Sequence, residues 1–107
     1  MEVIAMGKMR AYLQSHLSNF KDPVIFISSD FIPGCPKCDS GATVYYIKLV
    51  ERDSVDSDQN TEKVEKHKFP IDIFINYPTV QGRPQKIVIG TKKRNGKLHM
   101  IIRRLIE

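Results

Sequence analysis

Residues 24–28, VIFIS, form an almost unbroken apolar run, set off on its N-terminal side by Asp22-Pro23. A short run without polar alternation is the pattern of a strand buried on both faces, in the middle of a sheet. The proline stops whatever precedes it, because it pushes the residue before it out of helical backbone angles. A central strand needs neighbours, and the chain offers several. In residues 69–76, FPIDIFIN, Phe69, Ile71, Ile73 and Ile75 alternate with other residues, so all four face one way in a strand. Pro70 puts the beginning of that strand at an edge or an end. Residues 86–90, KIVIG, read as a further strand, followed by the turn TKKRNG, where Asn95-Gly96 tolerates positive φ.

Two segments read both ways. Residues 42–52 are rich in strand formers (Thr43, Val44, Tyr45, Tyr46, Ile47, Val50), yet Val44, Ile47 and Val50 also suit a helix packed on a sheet. Propensity favours the strand. At the C-terminal end, Leu98, Ile101, Ile102 and Leu105 make a helical stripe, whereas Leu98, Met100, Ile102 and Ile106 fit a strand closing a hairpin on Asn95-Gly96. Composition leans to the helix. Residues 3–20 also read as a helix, with Met6, Met9, Leu13, Leu17 and Phe20 on one stripe; Gly7 weakens its start, so the firm part is 8–20. Residues 53–66 are polar and read as an exposed loop.

A chain of 107 residues, 41% hydrophobic, is expected to form one domain, 1–107, with a modest core. No run approaches eighteen apolar residues, so no helical membrane span is expected. The N-terminal residues match neither a secretory signal nor a transit peptide, and the expected location is intracellular, cytoplasmic by default. The net charge of +5 favours acidic partners, nucleic acid above all. The charge is also segregated. Glu51, Asp53, Asp56, Asp58, Glu62 and Glu65 crowd the middle, while Arg83, Lys86, Lys92, Lys93, Arg94, Lys97, Arg103 and Arg104 follow without an acid among them. Lys92, Lys93, Arg94 and Lys97 surround a turn that can press against a phosphate backbone. Tyr45, Tyr46, Phe74 and Tyr77 suit base stacking on an open sheet face, or a core.

Both cysteines lie in CPKC, as Cys35 and Cys38. In a reducing compartment such a pair points to redox chemistry or metal before a structural disulfide. As zinc ligands they supply half a site, and CPKCDSG resembles the first knuckle of a zinc ribbon. The second CxxC is absent, and His16, His67 and His99 show no paired spacing, so a full site needs distant histidines or a second chain bridging a dimer. As a dithiol, the pair needs an exposed first cysteine with a lowered pKa, which Lys37 would favour.

The segments LQSHLSNFKDPVIFIS, FIPGCPKCD and RPQKIVIGTKKRNGKLHMIIRRL together resemble a glutaredoxin, within the thioredoxin-like fold. The resemblance implies a leading helix, a buried strand, a CPxC motif opening a second helix, a cis-proline, a strand, a glycine turn and a closing helix. It implies Cys35 as nucleophile and Cys38 as resolving thiol. It implies Pro84 as the cis-proline, with Pro78 as rival, and Lys37, Arg83, Pro84 and Gly96 around glutathione as co-substrate, with no resident cofactor. Arg83 stands where the family has valine, and the acidic residue after its glycine pair is missing.

The expected fold is therefore α/β, an N-terminal helix followed by a mixed sheet of four or five strands, thioredoxin-like in the first instance. The alternative is α+β with a mostly antiparallel sheet. The expected function is thiol-disulfide exchange at Cys35 and Cys38 with glutathione or protein disulfides. The alternative is a non-enzymatic basic module that binds nucleic acid or a protein assembly through Lys92, Lys93, Arg94 and Lys97, its CxxC structural or zinc-bound.

Overall fold

The computed structural model describes residues 2–5, 7–32, 34, 42–55, 61–65, 69, 71–76 and 85–106. The first departure from expectation comes at once. Residues 2–5 are not the start of a helix but a strand, β1 (Glu2–Ala5), paired in parallel with the strand of residues 86–94. Val3 and Ile4 are β-branched and suit the pleat. Gly7, at φ 68°, then stands in the turn before the helix, in a conformation that glycine adopts without penalty. Helix α1 (Met9–His16) follows, and a single 3-10 turn (Leu17–Asn19) finishes it. Met9 and Leu13, four apart, lie on one face and are both buried.

The apolar run lies within β2 (Pro23–Ile32). Its proline sits at the first strand position, where a missing N–H is tolerated. β2 is interior to its sheet, as its sequence pattern requires, and Val24, Ile25 and Ile27 have no exposed surface, although they point to both faces. Residues 42–51 are strand β3 (Ala42–Glu51), antiparallel to β2 over its full length. The other neighbour of β2 is β5 (Ile73–Asn76), parallel to it, and β4 (Thr61–Val64) adds the far edge, giving the order β3-β2-β5-β4. β4 falls inside the segment expected to be an exposed polar loop; the burial of Val64 against the core is what fixes it there.

The second sheet has the order β1-β6-β7, from β6 (Lys86–Arg94) and β7 (Lys97–Ile106). Asn95 (φ 51°) and Gly96 (φ 78°) form the two-residue turn between them, both in the left-handed region that matches the twist of a hairpin. The expected closing helix at 97–106 is therefore a strand, and the single sheet of four or five strands is two sheets of three and four. Of the three helices the glutaredoxin resemblance implies, the leading one has a counterpart in α1, while residues 42–51 and 97–106, in the regions of the other two, are strands. The coarse class stands, among the described residues, as one N-terminal helix with mixed sheets, α/β or α+β.

One core joins the three layers. Val3, Ile87, Ile89 and Met100 come from the three-stranded sheet, Ile25, Ile27, Val64, Ile73 and Ile75 from the four-stranded one, and Met9 and Leu13 from α1. At one end an ion-pair hub ties the connections together. Arg52 donates from Nε to Asp22 Oδ2 (2.9 Å) and from Nη2 to Asp72 Oδ2 (2.7 Å), and its guanidinium lies 5.7 Å from the centre of the Phe74 ring. These hydrogen bonds raise the Arg52 pKa, and the one from Arg52 is the main cause holding the Asp72 carboxyl below its ordinary value. No helix among the described residues is long and apolar enough to cross a membrane.

Candidate nucleic-acid interface

β1 pairs with β6 only as far as Ile89, so beyond it β6 and β7 continue as a two-stranded ribbon. Register partners in such a ribbon share a face, and alternate pairs share the same face. The pairs Ile89 with Ile102 and Thr91 with Met100 turn towards the core. The pairs Gly90 with Ile101, Lys92 with His99 and Arg94 with Lys97 therefore turn outwards. Lys92, Arg94, Lys97 and His99 are all exposed. Lys93 pairs with Leu98 and leaves the ribbon on the opposite side.

An irregularity sets two arginines side by side on the outward face, where plain alternation would leave one. The register shifts between Val88 and Ile89, which pair with Arg104 and Ile102, so Arg103 is an inserted residue. A bulge of this kind turns two consecutive side chains to one side, here Arg103 and Arg104. Arg103 lies flat across the ribbon over Gly90, where a Cβ would sit 2.6 Å from its Nε. Its Nη2 donates to the Thr91 carbonyl at 2.7 Å. No aspartate or glutamate occurs from residue 86 to 106. Lys86 lies 3.8 Å from Glu2, but among the described residues Lys92, Lys93, Arg94, Lys97 and Arg104 have no acidic partner. The result is an unneutralised cationic face on a pleated ribbon, suited to a row of phosphates.

A cavity of about 330 Å³ opens at the foot of this ribbon. β3 and β7 are the edges of their sheets and run alongside one another, and Ile47, Lys48, Leu49, His99 and Met100 line the cavity between them. Tyr12, His16, Asn19 and Phe20 complete it. The Tyr12 and His16 rings stack with centroids 4.1 Å apart, and burial pushes the Tyr12 hydroxyl pKa up. His16 Nδ1 lies 2.8 Å from the Tyr12 carbonyl; a carbonyl only accepts, so Nδ1 carries the hydrogen.

Of the residues the sequence singles out, Lys92, Arg94 and Lys97 share one face, and Lys93 and Gly96 belong to the same hairpin. Cys35, Lys37, Cys38, Arg83 and Pro84 lie outside the described residues, as do Pro78, Tyr77 and His67. The chain passes through CPKC between Ile32 and Ala42, which are register partners in β2 and β3. Tyr45 packs against the core, while Tyr46 and Phe74 are on the opposite face of their sheet. Tyr12, Phe20 and Lys48 carry no functional signal in the sequence: no spacing joins α1 to β3, and only their packing brings them to one cavity. No group of three or more potential metal ligands occurs among the described residues. No protein-family model, curated protein or solved structure matches the chain.

Proposed function

We propose that the chain is a non-enzymatic basic module that binds nucleic acid through phosphate contacts along the β6–β7 ribbon. One observation carries the reading: Lys92, Arg94, Lys97, Arg103 and Arg104 share the outward face of an acid-free hairpin. The solvent face of a half-buried ribbon is polar in any case; what distinguishes this one is that every charge on it is positive. A bulge that adds one arginine to that face, and a glycine that lets it lie flat, favour a shaped surface over a scattered charge.

The test is a binding titration at several salt concentrations. Each neutralised phosphate contributes about −0.9 to the slope of log affinity against log salt on duplex DNA, or about −0.7 on a single strand, so five contacts give about −4.5 or −3.5. Lys92→Ala with Arg94→Ala removes about two contacts and reduces the slope by roughly 1.4 to 1.8. Lys93→Ala, on the other side, changes it less. A slope near zero refutes the reading. If the same preparation then reduces disulfides with glutathione, and Cys35→Ser abolishes that activity, the weight moves to the CPKC dithiol.

A further inference from the structure

We infer that the nucleic acid held by this ribbon is single-stranded, and that one unstacked base enters the cavity between β3 and β7; this rests on the phosphate-binding reading above. The cavity continues the cationic face. His99, on its β7 bank, is the register partner of Lys92, and Lys48 stands on the β3 bank. A backbone running down the ribbon past Lys92 thus meets a gap with a cation on its far side. The gap is walled by flat rings, Tyr12 stacked on His16 with Phe20 beside them, and by the aliphatic Ile47 and Leu49. Rings and apolar side chains with a few polar atoms suit the faces and edges of a nucleobase. Its volume is at the lower end of those that hold small organic groups. In a duplex the bases are stacked and paired, and none is free to enter.

Beyond the cavity the surface keeps the same chemistry. Tyr46, 48% exposed, lies two residues before Lys48 on β3 and so on the same face. Register then sets a row across all four strands of that sheet: Lys48, Phe26, Phe74, Lys63. Lys63 lies 3.6 Å from Asp72 and Arg52 lies over the Phe74 ring, so Phe26 beside Lys48 is the part of the row that suits an unpaired base.

Fluorescence anisotropy with three labelled probes tests the inference: a single DNA strand of about 12 nucleotides, the same backbone with abasic sugars, and the duplex. One base captured on aromatic rings is worth about tenfold in affinity, so the strand is expected to bind at least that much more tightly than either other probe. Asn19→Trp, at the exposed rim, fills the cavity and is expected to bring the strand down to the abasic level with the salt slope intact. In the unaltered protein, 2-aminopurine within the strand is expected to change its fluorescence on binding. Equal affinity for all three probes with a steep salt slope, or an unchanged 2-aminopurine signal at saturation, overturns base capture and leaves the ribbon reading standing. Absence of salt-sensitive binding to every probe overturns the ribbon reading itself.

Discussion

Gly90 is expected to change the sign of its effect on stability when Arg103 is removed. Its backbone lies outside the left-handed region, so alanine is sterically allowed there and glycine is retained for another reason. That reason is the Arg103 side chain, whose Nε, Cδ and Cγ would stand 2.6, 3.1 and 3.4 Å from a Cβ at position 90. Gly90→Ala must push the side chain off the ribbon, and the 2.7 Å hydrogen bond to the Thr91 carbonyl goes with it. A charge-assisted bond contributes about 1.5–3 kcal/mol, and this partly buried one falls at the lower end. Alanine in a strand interior returns about 0.5–1 kcal/mol through lower chain entropy in the unfolded state. Gly90→Ala alone therefore costs about 0.5–1 kcal/mol net, whereas in an Arg103→Ala background it stabilises by about 0.5–1 kcal/mol, a coupling of roughly 1.5 kcal/mol. Urea denaturation of the four proteins, with matching m values, measures the cycle. Equal destabilisation by Gly90→Ala in both backgrounds would show that Arg103 is not what excludes a side chain at position 90.

Ile27→Ala removes a side chain with no exposed surface between Ile47 and Ile75, and is expected to cost about 2–5 kcal/mol in the same assay; a loss under 1 kcal/mol would mean that the site is not the packed centre of the core. The Asp72 carboxyl is held below its ordinary pKa, first by the Arg52 hydrogen bond. Its contribution to stability is thus fully present above the unfolded value of about 3.9 and is lost as pH falls through the lower folded value. Denaturation midpoints followed from neutral pH into acid should fall less steeply below about pH 4 in Asp72→Asn than in the unaltered protein; superimposable acid limbs would remove Asp72 from the account.

The apolar run of β2 was legible because burial on both faces leaves a contiguous signature, and the Asn95-Gly96 turn because few residue pairs accept two positive φ angles. Strand β7 was misread for a reason the structure supplies. Its inward positions are Leu98, Met100, Ile102 and then Leu105, because the inserted Arg103 shifts the alternation by one. The last step of three imitates a helical stripe. β1 was absorbed into the helix because Met6 and Met9 extend the stripe backwards, and its partner is 84 positions away, from Glu2 to Lys86, beyond the reach of any local pattern. The cationic residues were visible as a cluster. Their division between two faces, with Lys93 on one and Lys92, Arg94 and Lys97 on the other, depends on a register that only the paired strands define.

That distant pairing also sets an order in time. Strands β2 to β5 come from one uninterrupted stretch, residues 23–76, and can pair as soon as that stretch exists. β1 is made before them, yet its partner among the described residues is β6, which in turn leans on β7, so the three-stranded sheet waits for the strand that ends at Ile106. Contacts across so much chain form slowly, because the intervening loop must be closed before they reward it. The basic ribbon itself needs no such closure, since a two-residue turn joins its strands. Its lysines and arginines can share a face as soon as that hairpin forms, and what waits for the distant pairing is the seating of the hairpin beside β1.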